Sequence, residues 1–391
     1  MSRIVFTDLK TTGHSFSVSV ERDGHASETV CFEAPSSVSF GNDLIAHSLS
    51  TLAARNFSEV HYDFPVSSEC LSRIKDFTIC LPTSSSPADE EVWRRKEDGV
   101  TLSFSGGFDS LAALAIMPKH TKTVTLDFGG AFERERLSFS NFSPITIKTN
   151  IVETTLRAGS WSFMGIGAIL AAKSTASRFL TFGGIMDQSP EAFYKPSPLI
   201  ANNTFPAFSA CGFISAPYVI GITELGTAKI IAQAYPERAR DSLISLADPL
   251  SEKMSRKTLL LSYFEKRFKL DLNLPPLQMP AKPPYSFGQA MVVDTMATWF
   301  IKNYGADTAE KMVKPIPQEA YKIAAERSLD FFEGYNHKLY ENFPAILKPG
   351  LYQALERFGL KPYNRADQED FDAIGDMLAN YRPLKGRNAA R

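Results

Sequence analysis

The stretch 100–117 most constrains what this chain can fold into, because a strand, a glycine loop and a helix follow one another there. Its sequence is VTLSFSGGFDSLAALAIM. The apolar run 100–104 predicts a buried strand, and the apolar run 111–117 predicts a helix. Gly106 and Gly107 lie between them and permit positive φ angles and a close approach of the backbone to a ligand. A strand that leads through such a loop into a helix is typical of a parallel α/β sheet.

Residues 105–110, with the sequence Ser-Gly-Gly-Phe-Asp-Ser, are suited to binding phosphate. Successive backbone N–H groups in such a loop face an anion, and the dipole of the following helix favours negative charge. Asp109 and Ser110 are residue types preferred at a helix N-terminus, and their side chains can also reach outward. The segment therefore predicts a phosphate site, with a plain helix cap after a glycine turn as the alternative.

Strands and helices alternate through the middle of the chain. Further strands are predicted at TVTLDF (123–128), PITIKT (144–149), FLTFGG (179–184) and APYVIGI (216–222). A helix is predicted over 161–176. Strands that recur with helical crossovers predict a parallel, doubly wound α/β sheet that is covered on both faces.

Two breaks in composition divide the chain. Asp-Gly at 23–24, between alternating runs, predicts a β-hairpin near the N-terminus. The stretch 272–285 contains five prolines, so it can form neither a continuous helix nor a central strand. The predicted parts are a small α+β N-terminal domain (1–80), a linker rich in Ser and Pro (81–97), an α/β domain (98–271), a proline-rich linker (272–285) and a helical C-terminal domain (286–384), whose helices are expected at 288–302, 318–335 and 368–381.

The pattern Ser-Gly-Gly-x-Asp-Ser after a strand resembles the signature of the N-type ATP pyrophosphatases, the PP-loop superfamily. Its members include asparagine synthetase, GMP synthetase, NAD synthetase, argininosuccinate synthetase, tRNA-lysidine synthetase and 7-cyano-7-deazaguanine synthase. The resemblance covers residues 98–235, and the deazaguanine synthases are the nearest likeness. It implies an adenine nucleotide alpha hydrolase-like core and an enzyme that splits ATP into AMP and pyrophosphate.

By this resemblance, neighbouring residues of the loop would hold the β- and γ-phosphates of ATP. They are Ser105, Gly106, Gly107, Phe108, Asp109 and Ser110. Mg²⁺ would bridge phosphate and carboxylate oxygens, with Asp109 and Asp187 as candidate metal ligands and catalytic residues. Asp187 lies in FLTFGGIMDQ (179–188), which resembles the family's fourth strand and the loop after it, and a turn aspartate is the alternative.

Five weaker candidates follow from the same resemblance. Asp127 and Phe128 end the second strand, where the family's chain passes the adenine, and a solvated strand-end carboxylate is the alternative for Asp127. Gly183 belongs to the loop after the fourth strand. Arg157 lies where some members place a phosphate- or substrate-binding arginine. Lys229 lies near the position of a phosphate-contacting lysine, with an exposed helix lysine as the alternative.

Cysteine and histidine spacing disfavours other kinds of site. The four cysteines, Cys31, Cys70, Cys80 and Cys211, are too widely spaced for a zinc ribbon or a disulfide framework. The stretch 248–261, DPLSEKMSRKTLLL, lacks the zinc cysteines that deazaguanine synthases usually carry there, although its Ser-Arg-Lys-x-Leu-Leu ending resembles the tail of that site. Cys211 is expected to be a small buried hydrophobe rather than a sulfur-transfer catalyst. The six histidines form no HxxxH or HxH pair.

Charge and hydropathy bear on partners and location. The formal net charge of −1 provides no global attraction to nucleic acid or to an anionic membrane. The basic stretch 253–269 predicts an amphipathic helix with a solvated face, and docking of tRNA is the alternative. No transmembrane or export segment is evident, so we expect a cytoplasmic protein without a membrane partner. A homodimer stays open.

Taken together, these features predict an ATP-dependent adenylating ligase that uses ATP and Mg²⁺. It would activate a carboxylate or carbonyl oxygen of a small-molecule acceptor for attack by ammonia or an amine. A PP-loop enzyme that modifies tRNA or a nucleobase is one alternative. A non-catalytic ATP or AMP sensor is another, and the intact Asp109 disfavours it because pure binding needs less magnesium chemistry.

Overall fold

The structure is a computed structural model that describes residues 2–90, 93–158, 161–194, 196 and 205–381. The chain forms two compact units that are interleaved in sequence. Unit 1 comprises Met1–Gly106, Pro118–Phe182 and Asn202–Ala216, and unit 2 comprises Gly107–Met117, Gly183–Ala201 and Pro217–Arg391. None of the helices in the described ranges combines the length and the apolar content that a membrane crossing requires.

Unit 1 is built on a ten-stranded sheet in the order β12-β11-β8-β9-β10-β3-β2-β1-β4-β6. A separate parallel pair is formed by β5 and β7. The strands of the described residues are β1 (Arg3–Thr11), β2 (Ser15–Arg22), β3 (Glu28–Glu33), β4 (Glu59–Tyr62), β5 (Val66–Ser67), β6 (Leu81–Ser84), β7 (Pro87–Ala88), β8 (Val100–Ser103), β9 (Lys122–Asp127), β10 (Ile145–Thr149), β11 (Phe179–Phe182) and β12 (Ile214–Ser215).

Helices occur in both units. In chain order, the α-helices of the described residues are α1 (Asn42–Ala53), α2 (Ser68–Thr78), α3 (Phe108–Ile116), α4 (Arg136–Phe139), α5 (Ile166–Leu170), α6 (Ala172–Thr175), α7 (Pro190–Tyr194), α8 (Pro206–Ala210), α9 (Glu224–Ala234), α10 (Ala239–Leu246), α11 (Glu252–Phe268), α12 (Met291–Tyr304), α13 (Ala306–Glu310), α14 (Gln318–Glu326), α15 (Lys348–Arg357) and α16 (Arg365–Tyr381). Within unit 2, α3 packs against α9, and α9 packs against α11.

The parallel part of the sheet has a reversal in strand order. Strands β12, β11, β8, β9 and β10 pair in parallel. From β8 the chain proceeds outward to β9 and β10, and it then returns to β11 on the other side of β8. The predicted α/β class with a mostly parallel sheet is therefore confirmed. In open sheets of this kind, ligands bind beyond the carboxyl ends of the strands at such a reversal, here between β8 and β11.

The N-terminal strands extend the same sheet. The predicted hairpin at Asp23-Gly24 is confirmed, because β2 and β3 pair antiparallel on either side of it. β3 also pairs antiparallel with β10, through Glu33 opposite Lys148 and Phe32 opposite Thr149. The sheet thus joins residues of the predicted N-terminal domain (1–80) and of the predicted α/β domain (98–271), and the two units do not follow those segments.

The stretch 81–97, which the sequence predicts as a linker, contains regular structure. Its first residues form β6, which pairs in parallel with β4. β6 is the last strand of the sheet, and an edge strand tolerates Pro82 because one side of its backbone needs no ladder partner. Residues 91 and 92 of this stretch, and residues 382–384 of the predicted C-terminal domain, lie outside the described residues.

Three predicted elements differ in the structure. The predicted strand 216–222 is wrong, because Ile220 and Ile222 donate backbone hydrogen bonds to the carbonyls of Pro217 and Val219 and the chain turns there. The predicted helix 161–176 divides into a 3-10 helix (Trp161–Gly165), α5 and α6. The predicted helix 318–335 ends at Glu326, and Leu329 takes a left-handed conformation with φ of 63°.

Candidate functional site

The loop after β8 requires glycine at position 106. Gly106 has a φ of +73°, in the left-handed region that side chains disfavour. A Cβ atom on Gly106 would lie 2.8 Å from the backbone nitrogen of Phe139 and 2.8 Å from Oγ of Ser138. The Ser138 hydroxyl donates a hydrogen bond of 2.6 Å to the carbonyl of Gly106. Local contacts within unit 1 therefore fix this part of the loop.

The other half of the loop begins α3 in unit 2. Gly107 is the N-cap residue of α3, with extended φ and ψ of −76° and 167°. The buried Ser110 hydroxyl donates to the carbonyl of Gly107 over 2.9 Å, so it braces the first helical turn. A Cβ atom on Gly183 would lie 2.5 Å from the backbone nitrogen of Ser110, so only glycine fits where this segment passes the turn. The structure thus brings Gly183 to the loop, as a steric partner of its backbone.

Asp109, in the first turn of α3, receives three polar contacts. Gln188 donates from Nε2 to Oδ2 over 2.8 Å. The ammonium of Lys257 lies 3.2 Å from Oδ1, and the Thr227 hydroxyl lies 3.5 Å from the same oxygen. The side chain of Asp109 keeps 19% of its surface exposed. It is therefore a partly accessible carboxylate at the end of the loop.

Asp187, the second predicted acidic residue, is fully buried in unit 2. Its Oδ2 accepts a hydrogen bond of 3.0 Å from the backbone N–H of Glu224, at the start of α9. Its Oδ1 is buried and has no hydrogen-bond partner among the described residues. Burial and, after it, the negative charge of Asp109 together raise the pKa of Asp187 to about 7. The two candidate metal ligands, Asp109 and Asp187, are therefore close enough in the structure for the charge of one to affect the pKa of the other.

Four further charged residues lie close to Asp109 and Asp187, and they were not identified as site residues from the sequence. They are Glu224, Glu252, Arg256 and Lys257. Lys257 lies 2.8 Å from Oε1 of Glu224, and Arg256 pairs with both Glu224 and Glu252. All four residues are buried. With Asp109 and Asp187 they form a cluster of four carboxyl groups and two cationic groups within unit 2. Carboxyl groups therefore outnumber cationic groups in this cluster.

The predicted solvated face of 253–269 is wrong for Arg256 and Lys257. Both lie on α11, and both are buried. Lys257 falls at helical spacing between the apolar residues Met254 and Leu261. A lysine in line with an apolar stripe is a signal in the sequence that could have identified it as a buried charge in need of a partner.

Lys229 is engaged elsewhere in unit 2. Its ammonium lies 3.1 Å from Oε2 of Glu333 and donates to the carbonyl of Gly359 over 2.8 Å. The side chain is largely buried, so the alternative of an exposed helix lysine is wrong. These contacts hold α9 to the later part of the chain. A phosphate contact by Lys229 stays a prediction.

The other candidates of unit 1, Asp127, Phe128 and Arg157, lie apart from the loop in sequence. Asp127 is buried, and the guanidinium nitrogen Nε of Arg136 lies 3.1 and 3.0 Å from its two carboxylate oxygens. The alternative of a solvated strand-end carboxylate is therefore wrong. Asp127 and Phe128 line an open cavity of about 540 Å³, together with residues of β10 and of the N-terminal strands. Arg157 is exposed, and its guanidinium lies 5.2 Å from the centre of the Phe132 ring.

Cys211 fits the expectation of a buried small side chain in unit 1. Its surface is almost wholly covered, and burial raises the pKa of its thiol above the ordinary value. A thiolate is the nucleophilic form of cysteine, so this environment disfavours reactivity.

The donor set near Asp109 fits a magnesium ion that arrives with phosphates. Mg²⁺ is usually held by one or two carboxylates plus phosphate oxygens and water. The buried Oδ1 of Asp187 is an oxygen of the right kind that lacks a partner in the described structure. The described residues contain no group of three His, Cys, Asp or Glu side chains that could hold a metal alone. The nucleotide would therefore have to supply the remaining ligands.

Comparison with known proteins adds no relative. No protein-family model matches the chain, and neither the curated proteins nor the solved structures yield a match.

Proposed function

We propose that this chain binds ATP with Mg²⁺ at residues 105–110 and splits it into AMP and pyrophosphate. The observation that carries the proposal is Asp109: it lies in the first helical turn after the glycine loop, and the same unit holds the buried Asp187 with an unpartnered carboxylate oxygen. Two carboxyl groups at a phosphate loop suit a site that handles a metal–phosphate complex. The reversal of strand order beside β8 supports the same location.

The loop and the candidate residues outside it would have separate roles in binding ATP. The backbone N–H groups after Gly106 and the N-terminus of α3 would bind the β- and γ-phosphates. Asp109 and Asp187 would hold Mg²⁺, which neutralises the charge of the leaving pyrophosphate. Asp127 and Phe128 line a cavity in unit 1, and a contact of these two residues with a nucleoside stays a prediction from the resemblance. The core would then be of the adenine nucleotide alpha hydrolase-like type.

The proposed reaction has two steps, and each step forms one bond and breaks one bond. An oxygen of an acceptor carboxylate or carbonyl attacks the α-phosphorus, and the bond from that phosphorus to the bridging oxygen of pyrophosphate breaks. Ammonia or an amine then attacks the activated carbon, and AMP leaves. The helices of 286–381 would shape the acceptor pocket, because this part of the chain contacts α9. The Thr223 hydroxyl, at the N-cap of α9, donates to the Phe332 carbonyl, and Lys229, in the middle of α9, pairs with Glu333.

The test is a product assay. Purified protein with Mg·ATP should release pyrophosphate and AMP in the presence of its acceptor, and a panel of small carboxylates, purines and tRNA would identify the acceptor class. Asp109→Asn serves as the inactive reference. ADP and orthophosphate as the primary products would overturn the proposal. Tight nucleotide binding without pyrophosphate release, for every acceptor in the panel, would favour the sensor.

A further inference from the structure

Lys257 is a buried cation that is shared between two carboxylates of unit 2. Its ammonium lies 2.8 Å from Oε1 of Glu224 and 3.2 Å from Oδ1 of Asp109. It also lies 4.7 Å from the centre of the Phe108 ring, so an aromatic face covers it on another side. Only 3% of the Lys257 side chain is exposed. An ammonium has three N–H donors and a single charge, so that charge is divided between two anions.

The two carboxylates are not equivalent partners. Glu224 is 3% exposed and has Arg256 as a second cation, so its charge is compensated on both oxygens. Asp109 is 19% exposed and has Lys257 as its cationic partner among the described ion pairs. A ligand that neutralised Asp109 would release Lys257 from it while Glu224 kept the ammonium in place. Glu224 is thus the fixed anchor, and Asp109 is the exchangeable partner.

We propose that Lys257 is an internal counter-ion of Asp109 that transfers to the triphosphate when Mg²⁺ binds. The proposal rests on the function proposed above. The ammonium of Lys257 lies 3.2 Å from Oδ1 of Asp109, so it would compete with a metal ion for that oxygen. With Mg·ATP bound, Asp109 would hold the metal ion, and the released ammonium of Lys257 would bind a phosphate oxygen. Metal alone has to displace Lys257 with no anion to receive it, so metal and nucleotide bind together.

The same exchange explains how a carboxylate can stand at a phosphate loop. Asp109 and a phosphate repel each other unless a cation lies between them. Lys257 supplies that cation before the metal arrives, and it adds a positive charge beside the phosphates afterwards. Its role is in binding and positioning, because no bond to it forms or breaks.

The decisive experiment measures ATP binding in the presence of a chelator, by calorimetry. Asp109→Asn removes the exchangeable partner of the ammonium. Lys257 is then available to the triphosphate, so this variant should bind metal-free ATP about tenfold more tightly than the parent protein. Adding Lys257→Met to Asp109→Asn should abolish this gain, and adding Lys257→Arg should retain part of it. Lys266→Met, in the exposed last turn of the same helix, is the matched control and should change nothing.

A second readout uses Mn²⁺ without nucleotide. The parent protein should bind Mn²⁺ weakly, and Lys257→Met should bind it on the order of tenfold more tightly, because Asp109 has lost its counter-ion. Lys257→Met alone leaves the partly buried Asp109 beside an uncharged side chain and could fail to fold for that reason. In that case the comparison of Asp109→Asn with the double variant Asp109→Asn/Lys257→Met decides the question, because the double variant has no charge at either position. If the parent binds Mg·ATP but Asp109→Asn and the double variant bind metal-free ATP with equal affinity, the proposed role of Lys257 is overturned. Failure of the parent to bind Mg·ATP would instead remove the proposed function itself.

Discussion

Asp187 accepts a hydrogen bond from the backbone N–H of Glu224 through one carboxylate oxygen, over 3.0 Å, while its other oxygen is buried without a partner in the described structure. An N–H group at the start of a helix favours a negatively charged acceptor. Burial opposes the charge and raises the pKa of Asp187 to about 7. Asp187 is therefore held between its neutral and its charged form, and a cation at its free oxygen would decide the balance.

Asp187→Asn should separate the structural contact from the proposed metal contact. Asparagine keeps a carbonyl oxygen for the N–H of Glu224 and removes the buried charge, so the variant should melt at the same temperature as the parent or higher. Pyrophosphate release should fall on the order of a hundredfold, comparable to the loss of one preorganised electrostatic group.

Asp187→Ala provides the contrast, because it also removes the acceptor. The N–H of Glu224 then remains buried without a partner, and stability should fall by about 1–3 kcal/mol. Thermal melting and turnover under saturating ATP measure the two effects separately. Parent-like turnover in Asp187→Asn would show that the carboxylate takes no part in the reaction.

Gly183→Ala should disturb the loop from a distance in sequence. The added methyl group would lie 2.5 Å from the backbone nitrogen of Ser110, so either segment must move. Such overpacking costs about 1–3 kcal/mol, and we expect a matching loss in urea unfolding together with a raised KM for ATP. Gly350→Ala is the control, because an added Cβ there meets nothing within 4 Å. Alanine in a helix should stabilise the protein by up to about 1 kcal/mol. Equal stability of both variants would contradict the steric role of Gly183.

Local patterns predict the part of the site that lies within one stretch of chain. The apolar runs around Gly106 and Gly107 fix β8, the loop and α3, because strand, turn and helix propensities all act within eighteen residues. Lys257 and Arg256 could not be placed in the same way. Glu224 lies 32 residues from Arg256 and Asp109 lies 148 residues from Lys257, so only tertiary packing brings these partners together.

The errors in the fold also have local causes. Residues 216–222 are as apolar as a buried strand, and a short apolar run does not distinguish a strand from a buried turn. Pro217 begins the turn there. Pro82 and the serines of 81–97 favour a linker locally, but pairing with β4 at the sheet edge makes a strand of residues 81–84.

Replacing all four cysteines should leave ATP cleavage intact. Burial raises the pKa of the Cys211 thiol, so little thiolate is available as a nucleophile. A variant with Cys31→Ser, Cys70→Ala, Cys80→Ala and Cys211→Ala should lose stability through packing of the three buried sites but should keep its turnover per folded molecule. If the fourfold variant loses turnover, the four single variants identify the cysteine that is responsible. Inactivity of Cys211→Ala with normal folding and ATP binding would move the protein to the sulfur-transfer branch.

His47 links the stability of unit 1 to pH. Its side chain is buried on α1, and its Nδ1 has no partner among the described residues. Burial lowers the pKa of His47 from 6.5 to about 4, although the charge of Asp43 acts in the opposite direction. The folded protein therefore keeps this imidazole neutral at a pH where the unfolded chain protonates it.

We expect His47 to contribute acid sensitivity between pH 6.5 and pH 4. In that window the unfolded chain binds one more proton than the folded chain, so stability falls as the pH is lowered. The contribution is fully present above pH 6.5 and is lost as the pH falls through about 4, and this lowering of the pKa corresponds to about 3 kcal/mol. Urea unfolding of the parent and of His47→Gln at a series of pH values isolates this contribution from that of the carboxylates, because only the difference between the two proteins is used. The parent should lose stability relative to His47→Gln on acidification, whereas His25→Gln, at an exposed position, should follow the parent. A constant difference across the series would mean that His47 stays uncharged in the unfolded chain as well or is protonated in the folded one, and either result contradicts the buried neutral imidazole.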